Sequence, residues 1–216
     1  MREPSLTALL TCLLLLTFVV TPLVGLGVIG QLAAGMIWGL LGVLSVLVVS
    51  GRRVAVAVIL GATALGLVTA IIGRPTVLSA VLARGSAAVA LVALGAVIGR
   101  KAFGPGRVTW HRIQGAIALY VILGLLFAHL YGLLNVLVPG SFANVPPGLD
   151  SNAVFYRGHL LYFSLVTSTG IGYGDIVPLH PVARSLATLE AVIGQLFPAT
   201  LLARLVSLEL EGRRPL

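Results

Sequence analysis

The sequence predicts an all-α integral membrane protein with six transmembrane helices, and one short re-entrant helix and loop between the fifth and sixth. Three observations predict it. First, 58% of the 216 residues are hydrophobic and 9% charged, with a mean hydropathy of +1.10. Soluble domains are roughly a quarter charged, so one globular core cannot hide this much apolar surface. Second, six apolar runs, near 6–25, 29–50, 54–73, 76–98, 114–138 and 183–208, approach or exceed the roughly 20 residues that cross about 30 Å of hydrocarbon as a helix. Third, Arg157 to Thr169 is too short to cross and ends on a cluster of alternating glycines.

The first run follows Arg2, so a cleaved signal peptide is the alternative to a span. Its apolar stretch exceeds the usual 7 to 15 residues (roughly) and no Ala-x-Ala site follows, which favours the span. Cys12, in this run, is the only cysteine, which excludes an intrachain disulfide and a cysteine-based metal site. Basic residues fill the gaps between runs: Arg52 and Arg53, then Arg74, then Arg100, Lys101, Arg107 and Arg112, with Arg213 and Arg214 at the end. By the positive-inside rule most of them, and both termini, face the cytoplasm of a cell (plasma) membrane. The net charge of +8 is spread over these short clusters. It forms no single stripe of the kind that binds nucleic acid.

Gly35 and Gly39, and Gly95 and Gly99, are GxxxG pairs that let helix backbones approach closely. Arg84 is the only arginine of the fourth run, against the three or four per subunit (roughly) that a voltage sensor needs, so strong voltage gating is not expected. "GLGVIG", Gly25 to Gly30, is a literal GxGxxG. It joins two spans, and no acid follows about 20 residues later as a dinucleotide site requires.

A composition shift divides the chain into 1–104, a four-helix domain, and 105–216. "GRKAFGPGRVTWHRIQ", Gly99 to Gln114, is polar and broken by Gly104, Pro105 and Gly106. Trp110, His111 and Arg112 suit a short segment lying at the cytoplasmic interface. After the fifth run, "VPGSFANVPPGLDSN", with Asp150, reads as an exposed external loop.

"STGIGYGDIVP", Ser168 to Pro178, carries the chemistry. Non-helical backbone is tolerated at membrane depth only when it is buried in protein or lines water. Alternating glycines accept positive φ without steric cost, so consecutive carbonyls can turn to one side as a row of oxygens. Four such rows around an axis make oxygen cages that replace the hydration shell of a cation. Five extended residues reach only about 16 Å, so a wet cavity must complete the path. The short helix before the loop would aim its negative C-terminal end at that cavity.

Ile171, Gly172, Tyr173, Gly174 and Asp175 match the signature usually written T-T-V-G-Y-G-D, and the sequence resembles the potassium channel family over about 105 to 216. It closely resembles bacterial channels with a two-helix pore domain and no recognisable voltage sensor. The resemblance implies an outer helix, a pore helix, a selectivity filter from Thr169 to Asp175 and an inner helix. It also implies K+ at the backbone carbonyls of Gly170, Ile171, Gly172 and Tyr173. Thr167, Ser168 and Thr169 end the pore helix as the family pattern expects, and Tyr162 and Phe163 stand where aromatics brace the filter. Ile171 and Tyr173 should point away from the ion path. Gly194 falls at the inner-helix hinge. Gly170 departs from the pattern, which has a threonine there. The missing hydroxyl weakens the innermost ion site and its discrimination against sodium, unless glycine is simply tolerated.

Glu190 lies about 9 Å below Arg184 along a helix, at a depth where an acid must face protein or water. Bonding to the back of the pore helix and lining the ion path are both open. Gln195 is the better cavity candidate, and Pro198 should kink the helix and form a gate hinge with Gly194. His180 is either a pH-sensitive group at the outer mouth or an ordinary surface residue. His129 reads as a packing residue, because the four histidines, His111, His129, His159 and His180, lack metal-ligand spacing.

One filter segment per chain implies a homotetramer in the lipid bilayer. The expected function is passive, potassium-selective conduction. A weakly selective cation channel and a non-conducting regulatory membrane subunit are the alternatives. About eight residues follow the last run, so no attached regulatory domain is expected. No enzyme motif occurs, and no cofactor beyond the permeant K+ is expected.

Overall fold

The computed structural model describes residues 3–29, 53–71, 76–104, 109–145 and 153–212. Helix α1 (Glu3–Leu15) passes through a π-helical turn (Leu16–Val20) into α2 (Thr21–Gly25). Then follow α3 (Arg53–Ile71), α4 (Val77–Ala102), α5 (Trp110–Leu137), strand β1 (Phe142–Ala143), α6 (Ala153–Thr169), strand β2 (Val177–Pro178) and α7 (Pro181–Gly212). Among the described residues, four stretches are long and apolar enough to cross a membrane: Leu6–Gly25, Val77–Ala102, Trp110–Leu137 and Pro181–Arg204. Helix α3 is a further apolar helix. Most of the second run, with Gly30, Gly35 and Gly39, lies outside the described residues, as do Arg52, Arg74, Arg107, Asp150, Arg213 and Arg214.

Helices dominate because a chain in hydrocarbon must satisfy its own backbone polar groups. The π-helical turn has a local cause. Pro22 has no amide hydrogen for the carbonyl of Phe18, one turn back. The ladder widens there, so that both the amide and the hydroxyl of Thr21 bond the Leu16 carbonyl, the hydroxyl at 2.8 Å.

Thr76 starts α4 with a capping box in which the Ser79 amide donates to Thr76 Oγ1 at 3.2 Å and the Thr76 amide to Ser79 Oγ at 3.1 Å. Further along, Gly95 and Gly99 face Leu119 of α5. A methyl group at Gly95 would lie 3.3 Å from Leu119 Cδ1, so this glycine pair does set the approach of the two helices. Leu9, Leu13 and Leu16 of the first span fill in beside them with Leu94, Ile98, Ile122 and Leu125.

Arg84, only 9% exposed, is docked on α5. A Cβ at Gly132 would fall 1.9 Å from its Nη1, so glycine makes the room that the guanidinium occupies. A second cluster joins Phe127 and Tyr131 of α5, Phe142 of β1, Leu160 and Phe163 of α6, Ile176, and Ala183 and Ala187 of α7. The rings of Tyr131 and Phe163 meet edge to face at 5.1 Å.

Two expectations are corrected. Trp110, His111 and Arg112 form no separate interfacial segment but the first turn of α5, which runs unbroken to Leu137. The apolar helix is simply longer than its apolar run. The loop after α5 is not wholly exposed either: Ser141 and Phe142 are buried. Strand β1 pairs antiparallel with β2, Phe142 opposite Pro178 and Ala143 opposite Val177, and the Ser141 carbonyl accepts the amides of Leu179 and His180 at 2.8 and 3.3 Å. Buried backbone must be paired, and this pairing seats the loop on the segment that follows the glycine cluster.

Candidate functional site

The glycine cluster begins where α6 stops. Thr169 closes the helix with its hydroxyl on the Leu165 carbonyl at 2.6 Å. The amides of Gly170 and Ile171 then turn back to the carbonyls of Thr167 and Val166, each at 3.1 Å. Beyond that point the φ angles of Gly170, Gly172 and Gly174 are +75°, +60° and +80°. All three alternating glycines are left-handed, a conformation that glycine adopts freely and other residues rarely do.

Neighbouring elements hold this strand. The Tyr173 ring lies parallel to that of Tyr162 on α6, centroids 6.3 Å apart. The Tyr162 hydroxyl lies beside the Asp175 side chain. Asn144, itself left-handed at φ 61°, donates from Nδ2 to the Asp175 carbonyl at 2.7 Å. Ile176 is buried in the aromatic cluster with Phe163, while Ile171 and Tyr173 are exposed in the single chain.

Beneath the strand, the Ser168 carbonyl at the end of α6 accepts the Tyr120 hydroxyl of α5 at 3.1 Å, with Gln195 Nε2 of α7 at 3.5 Å. The two helices touch backbone to backbone at Gly194, where a Cβ would fall 2.2 Å from the Ser168 carbonyl oxygen and 2.6 Å from its Cα. A Cβ at Gly170 would meet Gln195 Nε2 at 2.9 Å. Gly170, Ser168, Gly194 and Gln195 therefore form one tight junction. Pro198 sits inside α7, which stays helical through it. Its missing amide deprives the Gly194 carbonyl of its partner four residues on.

Glu190 is 1% exposed and faces neither lipid nor an open channel within the chain. Tyr131 of α5 donates its hydroxyl to Glu190 Oε2. The Ser164 hydroxyl of α6 lies between Glu190 Oε1, at 2.5 Å, and the Gly124 carbonyl of α5, at 2.7 Å. One carboxyl group thus joins three helices behind the glycine strand. The sequence reading missed Tyr131. Its signal was chemical, since a lone acid in an apolar helix demands donors, and the few hydroxyls of the neighbouring runs are the candidates.

Other sequence candidates fall outside this assembly. His180 caps α7, its Nδ1 accepting the Val182 amide at 3.3 Å. His129 is half-buried within α5. Thr167 contributes its carbonyl to the turn at Gly170. Among the described residues no group of three His, Cys, Asp or Glu side chains is placed to hold a metal ion.

Residues 115–210 match a family model described as "Ion channel". The chain is 32% identical over 87 residues to Protein LctB of Bacillus caldotenax, covering 40% of this chain and 64% of that protein. It is 38% identical over 79 residues to the inward rectifier potassium channel Kirbac3.1 of Paramagnetospirillum magnetotacticum, covering 36% of this chain and 23% of that channel. Protein LctB of Geobacillus stearothermophilus is 31% identical over 37% of this chain, which covers 59% of its length. The chain therefore spans less than two thirds of each of these relatives. No solved structure is significantly similar to it. The matched region runs from the start of α5 nearly to the end of α7 and contains every residue of the assembly above.

Two substitutions test the geometry. Glu190→Leu leaves the buried Tyr131 hydroxyl without its acceptor, while Ser164 keeps the Gly124 carbonyl, and should destabilise the protein by about 1 to 3 kcal/mol. Glu190→Gln, which can accept from Tyr131 and donate to Ser164, should stay within about 1 kcal/mol. Thermal unfolding in detergent separates the two. Gly194→Ala should lower the same transition by about 1 to 3 kcal/mol or more, because the obstruction is backbone. Gly85→Ala, with nothing within 4 Å of its added Cβ, should not.

Proposed function

We propose that the chain conducts potassium passively across the plasma membrane as a homotetramer. In this reading α6 is a re-entrant pore helix and residues 170–174 a selectivity filter, set between the fifth and sixth of six spans, with both termini cytoplasmic. The observation that carries it is the positive φ at all three alternating glycines. That backbone form is the one that turns successive carbonyls to one side, and four copies around an axis would surround a dehydrated cation with oxygens.

The uncovered surfaces support a tetramer. The most apolar stretch of α7 is 17% buried in the single chain, against 50% for that of α5. Leu189, Val192, Leu196 and Leu202 of α7 stand exposed together with Ile171 and Tyr173. A fourfold ring covers such a face with the next copy. The C-terminal end of α6, with its negative helix pole, would face the cavity below the filter, and Gln195 stands at that end. Glu190 and its two hydroxyl donors serve as the brace behind the filter rather than as part of the ion path.

A weakly selective cation channel is the second reading, and Gly170 favours it. Its innermost site has a carbonyl but no hydroxyl, and its left-handed backbone is not one that threonine adopts readily. Strong voltage gating is not part of either reading, since Arg84 is committed to packing against Gly132.

Potassium uptake into liposomes bearing the purified protein tests conduction. Uptake should be present in the wild type and lost on Tyr173→Ala; absence of uptake in the wild type would favour a non-conducting subunit. Reversal potentials under opposed potassium and sodium gradients test selectivity. Gly170→Val and Gly170→Thr place isosteric β-branched side chains on the same left-handed backbone, so a greater potassium preference in the threonine variant isolates the hydroxyl. Equal preferences in the two would remove the weakened-site idea.

A further inference from the structure

Gly170 stands where the channel signature has a threonine, and the space beside it is not empty. A Cβ on Gly170 would lie 2.9 Å from Gln195 Nε2 and 3.6 Å from Gln195 Cδ. Both atoms belong to one planar amide that reaches in from α7. A side chain at 170 would have to push that amide aside, so Gln195 occupies the room that a threonine side chain would take.

The surroundings fix the amide and its orientation. Gly194 presses the α7 backbone onto Ser168, where its own Cβ would fall 2.2 Å from the Ser168 carbonyl oxygen, so the next residue starts from a seated position. Gln195 then turns Nε2 to that same carbonyl at 3.5 Å, beside the Tyr120 hydroxyl at 3.1 Å. A carbonyl oxygen has two lone pairs, and these two donors address both. Ser168 therefore has no oxygen lone pair to spare for a cation. With the nitrogen of the Gln195 amide turned to Ser168, its oxygen lies on the opposite edge of the amide plane. Gly170 and Gln195 are both exposed in the single chain, as are Ile171, Val192 and Leu196. A side-chain amide oxygen is a hard, neutral ligand of the same kind as a backbone carbonyl.

We infer that Gln195 is a specificity-determining residue whose amide oxygen stands in for the hydroxyl missing at position 170. From four copies it supplies the layer of oxygens that a dehydrated alkali cation meets below the Gly170 carbonyls. This role rests on the pore reading proposed above and names the group that completes its innermost site. The oxygen has moved from the filter strand to the inner helix, and the glycine at 170 makes the room for it.

Two measurements on the full-length protein test this. Reversal potentials in planar bilayers, with potassium on one side and sodium on the other, read the permeability ratio. The thermal unfolding midpoint in detergent, titrated with potassium against sodium at constant total salt, reads potassium binding whether or not the chain conducts. Gln195→Met keeps the length of the side chain and removes the amide. It should lower the permeability ratio and the apparent potassium affinity about tenfold each. Gln195→Ala clears the space beside Gly170, and on that background Gly170→Thr should recover most of the loss, whereas Gly170→Val, of the same shape, should not. Recovery by valine as well would overturn the inference, since shape and not oxygen would then matter. A glutamine that only braces Ser168 would, on replacement, shift the midpoint equally in the two salts and leave both readings at their wild-type values. That result overturns the role of Gln195, while current through the wild type upholds the pore reading. A wild type that binds potassium through Gln195 but passes no current would uphold the site and sink the pore reading. Neither current nor any potassium-dependent midpoint in the wild type would sink both.

Discussion

Backbone that leaves helical hydrogen bonding inside a membrane must be enclosed by protein or wetted, and in the pore reading proposed above the strand after α6 is where this chain meets that constraint. Much of the second half is organised around supporting it. Helix α5 reaches the end of α6 through Tyr120, and α5, α6 and α7 are tied behind it by Glu190. Asn144 and the β1–β2 pair hold the segment that leaves it. The first span, α3 and α4 build a separate apolar cluster against the opposite side of α5. Helix α5 is accordingly the most enclosed of the four described spans and α7 the least.

The strand itself was legible in the sequence because its signal is local. Three glycines at every second position announce a backbone that other residues resist, and the φ angles at 170, 172 and 174 agree with that expectation. The apolar runs near 76–98, 114–138 and 183–208 likewise contain their own evidence, with errors confined to the ends. Trp110 shows why: polar and aromatic residues continue a helix beyond its apolar run without any apolar signal.

Contacts between distant positions were not legible. Tyr131 lies 59 residues from Glu190, and Asn144 31 residues from Asp175. Nothing in the pattern of an almost uniformly apolar helix says which face carries the hydroxyl. Arg84 could be counted from sequence, but its seat on Gly132 could not, because a glycine in an apolar helix has the same appearance whether it admits a guanidinium or a neighbouring helix. Gly194 is a similar case. Its position suggested flexibility, whereas the structure presses it against the Ser168 backbone.

That contact acts as a fulcrum. Above it, α7 is pinned by the carboxyl group of Glu190 and by the β1–β2 pair that leads into it. Below it, the helix lacks one rung at Pro198 and is held by the Phe197 ring against Phe103 and Tyr120 and, further on, by Arg204. In the pore reading proposed above, any swing of the lower half would be hinged at Pro198, and the residues above the seat would keep their spacing while the lower arm moves.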